Sequence, residues 1–321
     1  MSPTYSSEPG TAVPRHLVHK CAQAEVFLTG WSARTDGPFT FTVTAQWPRT
    51  HSFYRPVHRH YDSLLFAETL RQTLPLLAHE NFEVPRGHQL IWSDLSFDVV
   101  HDALRVSDRP LDLTLAVECS EIVRRRAGLS AVRVSMTAFA DTTTIGHART
   151  RFSVHNPGIY QRLRAAGHHD PTAARAGALR LLTPGVLPDR VGRHRADDVV
   201  LAPTDRSHVW QLRADLDHPI LFDHPVDHAP GMLLLEAARQ AAICAQPVGS
   251  TAVTGMATRF HRYVELDRPA WVKLTSGAPG RCTVRIDQDE QACFEAEVVT
   301  RTTPLTIGTP SRPDLVQVGC P

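Results

Sequence analysis

Two short stretches far apart in this chain restrict its possible folds more than any other feature: ETLRQ at Glu68 to Gln72 and EAARQ at Glu236 to Gln240. Glutamate, arginine and glutamine recur at matched positions, each pair separated by 168 residues, and the same offset sets His60 over His228. The surroundings repeat too. In the first copy, strand-like segments at residues 22–28 and 39–46 precede an apolar helical stretch at 63–79 and β-rich runs at 111–123 and 130–140, whose β-branched residues nearly alternate as in half-buried strands. In the second, a strand-like segment at 208–216 precedes an apolar helix at 232–245 and β-rich runs at 257–266, 270–277, 282–287 and 293–301. Matching polar positions inside matching element orders point to a duplicated unit, one long helix against an antiparallel sheet. A chain of 321 residues is long enough for two such domains, each with a full core.

The composition sets expected boundaries. Residues 1–17 are rich in Pro, Ser, Thr and Gly and are expected to be a disordered tail. Residues 18–155 then form the first domain, the Ala, Arg, Gly, His and Pro-rich 156–205 a linker with one short helix, and 206–321 the second domain.

Charge excludes some partners. With 34 Lys+Arg against 33 Asp+Glu, no global field favours nucleic acid or an anionic membrane, so any basic site is local. No stretch approaches the roughly 20 apolar residues needed to cross a bilayer, and the N-terminus lacks a signal-like apolar core; a soluble, cytoplasmic protein is expected. The six cysteines have no CxxC spacing and the 18 histidines no HExxH motif, so reduced thiols, no metal and no cofactor are expected.

On a helix, positions i, i+3 and i+4 share a face, so Glu236, Arg239 and Gln240 form one cluster and Glu68, Arg71 and Gln72 another. The helix around Glu236 is apolar nearly all round and should be buried. An ionised carboxylate taken out of water costs several kcal/mol unless paired. Each triplet is therefore either a reactive centre or a structural tie between helix and sheet, and both readings stand at this point.

The segment HPILFDHPVDHAPGMLLLEAARQ, His218 to Gln240, resembles the active-site region of hot-dog 3-hydroxyacyl-carrier-protein dehydratases: a His-containing turn, Pro-Gly, and a helical glutamate six residues after the proline, as from Pro230 to Glu236. Over nearly the whole chain, VHKCAQAEVFLTGW, AQWPRTHSFY, ETLRQ, HENFEVPRGHQ, DVVL and the His218 to Gln240 segment are similar to the A-factor biosynthesis hot-dog family, the γ-butyrolactone synthases of filamentous bacteria. The resemblance implies an α+β tandem double hot-dog, each half a long central helix wrapped by an antiparallel sheet, and a pseudo-dimeric monomer with an acyl tunnel between the halves. It also implies an acyltransferase. A β-ketoacyl group passes from acyl carrier protein to a hydroxyl of dihydroxyacetone phosphate, and the ester cyclises to a butenolide phosphate, precursor of a γ-butyrolactone or furan signal. A dehydratase or thioesterase, or a non-catalytic acyl or lactone sensor, are the competing readings.

No GxSxG elbow or persuasive nucleophilic cysteine is present, so direct attack by the bound alcohol is expected. In that scheme Glu236 accepts the hydroxyl proton, with His224 or His228 orienting it, and the backbone N–H groups of Gly231 and Met232 hold the oxyanion. Arg239, Arg71 and Arg259 are candidates for the phosphate, with Gln240 and Gln72 beside them. Glu68 is either a second catalytic carboxylate or part of a scaffold; HYDSLLFAE, in place of a Pro-Gly entry, favours the scaffold. Glu236→Gln is expected to abolish ester formation with folding preserved.

Overall fold

The computed structural model describes residues 11–126, 128–165, 171–249 and 251–302. The first half supplies β1 (Leu28–Ala33), β2 (Thr40–Trp47), α1 (Ser63–Glu80), β3 (Gln89–Val99), β4 (Leu111–Arg125), β5 (Gly128–Ala140) and β6 (Thr143–His155). Two helices follow, α2 (Pro157–Ala165) and α3 (Pro171–Leu181). The second half supplies β7 (Leu201–Pro203), β8 (Val209–Leu212), α4 (Gly231–Cys244), β9 (Thr251–Phe260), β10 (Trp271–Ser276), β11 (Arg281–Gln288) and β12 (Gln291–Thr302).

All twelve strands form one antiparallel sheet in the order β1-β2-β4-β5-β6-β3-β9-β12-β11-β10-β8-β7. From either edge inward the two halves have the same strand order. They meet where β3 pairs with β9, from Asp94 opposite Arg259 to Asp98 opposite Gly255. Period-two alternation decides which face is covered: Phe41, Val43, Ala45 and Trp47 of β2 and Leu113, Leu115 and Val117 of β4 are buried, and their neighbours are less so. Against that inner face lie α1 and α4, touching each other and both sides of the β3–β9 seam. Each helix is buried on nearly every side, which is why neither sequence shows a polar stripe.

Three expectations need correction. Residues 1–10 lie outside the described residues, but over 11–17 the expected tail is packed: Val13 and Leu17 are buried, and Arg15–Val18 forms a 3-10 turn against α1. A composition average over the segment hid two apolar anchors. The expected linker at 156–205 is largely structured, because its arginines are neutralised by carboxylates elsewhere in the fold. Arg164 binds Asp227 and Glu265, and Arg193 binds Asp62 and Glu236. It also contains β7, so the strands of the second half begin before residue 206. The strand expected at 22–28 starts only at Leu28, behind a 3-10 turn at Gln23–Glu25. No helix among the described residues is long and apolar enough to cross a membrane.

Candidate active site between the two halves

The two polar triplets build the same hydrogen-bond network twice. Gln72 accepts from Phe27 N at 2.9 Å and donates to Glu25 O at 2.7 Å; Gln240 accepts from Val200 N at 2.9 Å and donates to Asp198 O at 2.8 Å. Arg71 donates to Val18 O and Arg239 to Val191 O. A fourth member completes each set. Lys20 lies 3.1 Å from Glu68, and Arg193 grips Glu236 with two nitrogens. These partners follow matched left-handed residues, His19 at φ 53° and Gly192 at φ 65°, so Val-His-Lys and Val-Gly-Arg are the same motif at a different offset from the helices. That was the signal in the sequence for the missing cations.

The surroundings then diverge. Glu236 is fully buried and accepts five hydrogen bonds, two from Arg193, two from Arg239 and one from Gln240 at 2.6 Å. Burial alone would raise its pKa, but the charges of Arg193 and Arg239 outweigh that and hold it at about 2. Arg193 also donates to Phe53 O and Asp62, and its guanidinium lies 4.1 Å above the Phe53 ring. Asp62 is the N-cap of α1 and accepts from Leu64 N. The space between the start of α1 and Glu236 is thus filled by the protein's own groups. Glu236, Arg239 and Gln240, expected as catalytic and substrate-binding residues, are bonded to one another and to Arg193, and none of the three lines the inner pocket or the cleft described below.

At the other junction the same geometry is left open. The N-cap of α4 is Pro230, which supplies no side-chain cap, so the first N–H groups of the helix, at Gly231 and Met232, have no intrahelical acceptor. Opposite them stands Glu68 of α1. Its Oε1 accepts from Arg71 at 2.9 Å and Gln72 at 3.0 Å, whereas among the described residues Oε2 accepts only from Arg71 at 2.8 Å. Burial again raises the Glu68 pKa, and Arg71 and Lys20 bring it down to about 2.

An inner pocket of about 180 Å³ is lined by Lys20, Glu68 and Arg71 from the first half and Pro230, Gly231 and Met232 from the second. Leu74, Ile220, Leu221 and Val226 give it an apolar side, and His19, Asp223 and His224 also line it. It adjoins a wider cleft of about 730 Å³; His19, Arg71, Trp92, His224 and Gly231 border both. Each junction therefore combines one half's helix start with the other half's carboxylate. A helix rises 1.5 Å per residue, so Glu236 lies too far along α4 to serve its own N-terminus.

The cleft also holds His228, whose Nδ1 is 2.7 Å from Asp227 Oδ1. Tyr160 donates to the same oxygen at 2.6 Å, and Arg164 binds the other at 2.9 Å. Burial would raise the Asp227 pKa, but the bonds from His228 and Tyr160 keep it below the usual carboxylate range. His224 borders the cleft with its pKa lowered, first by burial and then by Arg71; His19 is lowered by burial to about 3. Both are neutral at pH 7.

Arg259 falls away from this site. Thr258 faces inward from β9, so Arg259 projects to the outer, exposed face of the sheet, opposite Asp94 and Glu295. Arg262, three residues on and past the end of the strand, borders the cleft instead and has no carboxylate partner among the described residues. Among the described residues, His60, His101 and Asp102 have ligand atoms close enough for a metal ion, within 4.8 Å of one another. The two imidazoles stack with ring centroids 4.3 Å apart and planes 13° from parallel, so their in-plane lone pairs do not converge on one ion.

The model of the A-factor biosynthesis hotdog domain matches residues 2–156 and 178–306. The chain is 43% identical to a 2-oxo-3-(phosphooxy)propyl 3-oxoalkanoate synthase of Streptomyces virginiae, over 91% of this chain and 98% of that one. It is 38% identical to a synthase of the same name from Streptomyces coelicolor, over 85% and 86% of the two chains. Among solved structures, a 12:0-ACP thioesterase from Umbellularia californica shares the fold with a TM-score of 0.53 at 9% identity, over 83% of this chain and 99% of that one. The tandem hot-dog architecture expected from the sequence is borne out.

Proposed function

The chain belongs to the A-factor biosynthesis hotdog family, and from that premise we propose that it is an acyltransferase joining a β-ketoacyl thioester to dihydroxyacetone phosphate. The product is the ester that the related synthases are named for, a 2-oxo-3-(phosphooxy)propyl 3-oxoalkanoate, which cyclises to a butenolide phosphate. The observation that carries this reading is the open junction, where the uncapped start of α4, a histidine braced by aspartate, and the Glu68–Arg71–Lys20 cluster border one connected cavity.

The β-ketoacyl chain lies along the apolar side of the inner pocket, and its thioester carbonyl oxygen accepts from the N–H groups of Gly231 and Met232. The nucleophile is a hydroxyl of dihydroxyacetone phosphate. Asp227 takes the Nδ1–H of His228, which leaves the lone pair on Nε2 to receive the hydroxyl proton. The alkoxide attacks, the C–S bond breaks, and the departing thiolate takes that proton from His228. Arg71 and Arg262 bind the phosphate, and His224, which borders the same cleft, adds a neutral donor. Glu68 acts through Arg71 and Lys20, fixing both cations. Acyl carrier protein delivers the thioester at the cleft, and the internal pairing of the halves makes the functional unit a pseudo-dimeric monomer.

Incubating the pure protein with a β-ketoacyl carrier thioester and dihydroxyacetone phosphate, then identifying products by mass spectrometry, tests the reading. Free β-keto acid alone indicates a thioesterase, loss of water from a hydroxyacyl thioester a dehydratase, and binding without turnover a sensor. Arg262→Ala is expected to raise KM for dihydroxyacetone phosphate by about tenfold, the loss of one charge-assisted contact, with kcat little changed. An unchanged KM removes Arg262 from the phosphate site.

A further inference from the structure

Trp92 stands where the cleft meets the inner pocket and borders both. Its direction depends on an irregularity in β3. Leu95, Phe97 and Val99 face the helices, so strict alternation would turn Ser93 inward and Trp92 outward. The β3–β6 ladder slips by one residue between Trp92 and Asp94, which places Trp92 opposite the buried Phe152 and turns the indole inward. The ring lies on the first residue of α4. A Cβ on Gly231 would come within 2.7 Å of Trp92 Cε3 and Cζ3, so glycine is needed there for the indole to sit. The Phe260 ring packs against the indole, at 5.5 Å between centroids.

The indole therefore covers the helix start that receives the thioester carbonyl in the reaction above, at the entrance to the apolar wall of Leu74, Ile220, Leu221 and Val226. We propose that Trp92 is the specificity-determining residue for the acyl chain: it narrows the passage into the inner pocket and limits the length and branching of the β-ketoacyl group accepted. This assignment rests on the function proposed above for the same site. Smaller side chains at position 92 join the pocket and cleft into a wider channel, and each additional methylene buried there increases affinity about fourfold.

The test uses the full chain with Trp92→Ala and Trp92→Phe, and non-hydrolysable thioether analogues of β-ketoacyl pantetheine of about six to fourteen carbons. Calorimetric affinities are measured across the series beside ester formation from the matching thioesters. In the wild type, affinity rises with chain length and then stops rising. In Trp92→Ala the limit moves two or three carbons longer, with about 15- to 60-fold tighter binding of the longer chains, and Trp92→Phe falls between. If Trp92→Ala does not fold, the shift in Trp92→Phe decides. Superimposable chain-length profiles overturn the assignment. If the wild type forms no ester but the binding profiles shift, the proposed reaction is wrong and the role of Trp92 in acyl selection stands.

Discussion

Glu236→Gln is expected to destabilise the protein by about 3–5 kcal/mol, as breaking a buried ion pair from one side does, so that any loss of activity in the variant follows loss of stability. Gln keeps the shape but removes the anion that neutralises two guanidiniums, and Arg193 and Arg239 are both buried. Arg193 keeps Asp62 at 2.9 Å, but Arg239 has Asp62 only at 3.9 Å. The sequence-based expectation was an inactive but folded Gln variant; it counted Arg239 and could not count Arg193, 43 residues earlier in the chain, and that second buried cation is what changes the expected outcome. Urea unfolding of wild type and variant measures the loss; a shared midpoint would show that the carboxylate is not what holds these arginines.

The same pairing makes stability depend on acid. Glu68 and Glu236 are each held at about 2, below the ordinary 4.5. A folded-state pKa lower than the unfolded one contributes stability that is fully present above pH ~4.5 and lost as pH falls toward 2, on the order of 3 kcal/mol per group. Unfolding midpoints measured across that window should fall steeply.

The fold was legible because duplication leaves two copies to compare. Glu68 with Glu236 and Gln72 with Gln240 located the helices, and the recurring β-rich runs located most of the sheet. What stayed hidden was the pairing between copies. HYDSLLFAE marks the start of α1 as different from the Pro-Gly start of α4, and in the structure Asp62 there caps the helix and binds Arg193. The consequence falls on the opposite half: it is Glu236 that is sealed, and Glu68 that faces the uncapped start of α4. One-dimensional reading assigns a helix its own carboxylate, whereas a two-helix sandwich assigns it its neighbour's. Trp92 was hidden for a related reason, because a one-residue bulge reverses the face that alternation predicts.

His228→Ala separates chemistry from architecture in the way that substitution of Glu236 does not. The His228 ring is half-buried, rests 4.6 Å from the Tyr263 ring, and bonds through Nδ1 to an aspartate that keeps Tyr160 and Arg164 without it. Removing the imidazole therefore strands no charge, and the unfolding midpoint should move little. If Nε2 carries the proton between hydroxyl and leaving thiolate, kcat falls by about 10²–10⁴-fold, the usual contribution of a positioned acid–base group, with KM for dihydroxyacetone phosphate nearly unchanged. Asp227→Asn gives a loss of comparable size with the same kcat-weighted signature, because the amide carries no charge to stabilise the imidazolium as it forms and its NH2 group can hold the ring in the wrong tautomer. Added imidazole should restore part of the His228→Ala rate and none of the Asp227→Asn deficit. A His228→Ala enzyme that keeps kcat within about threefold, well short of a general-base effect, would move the proton to another group of the cleft.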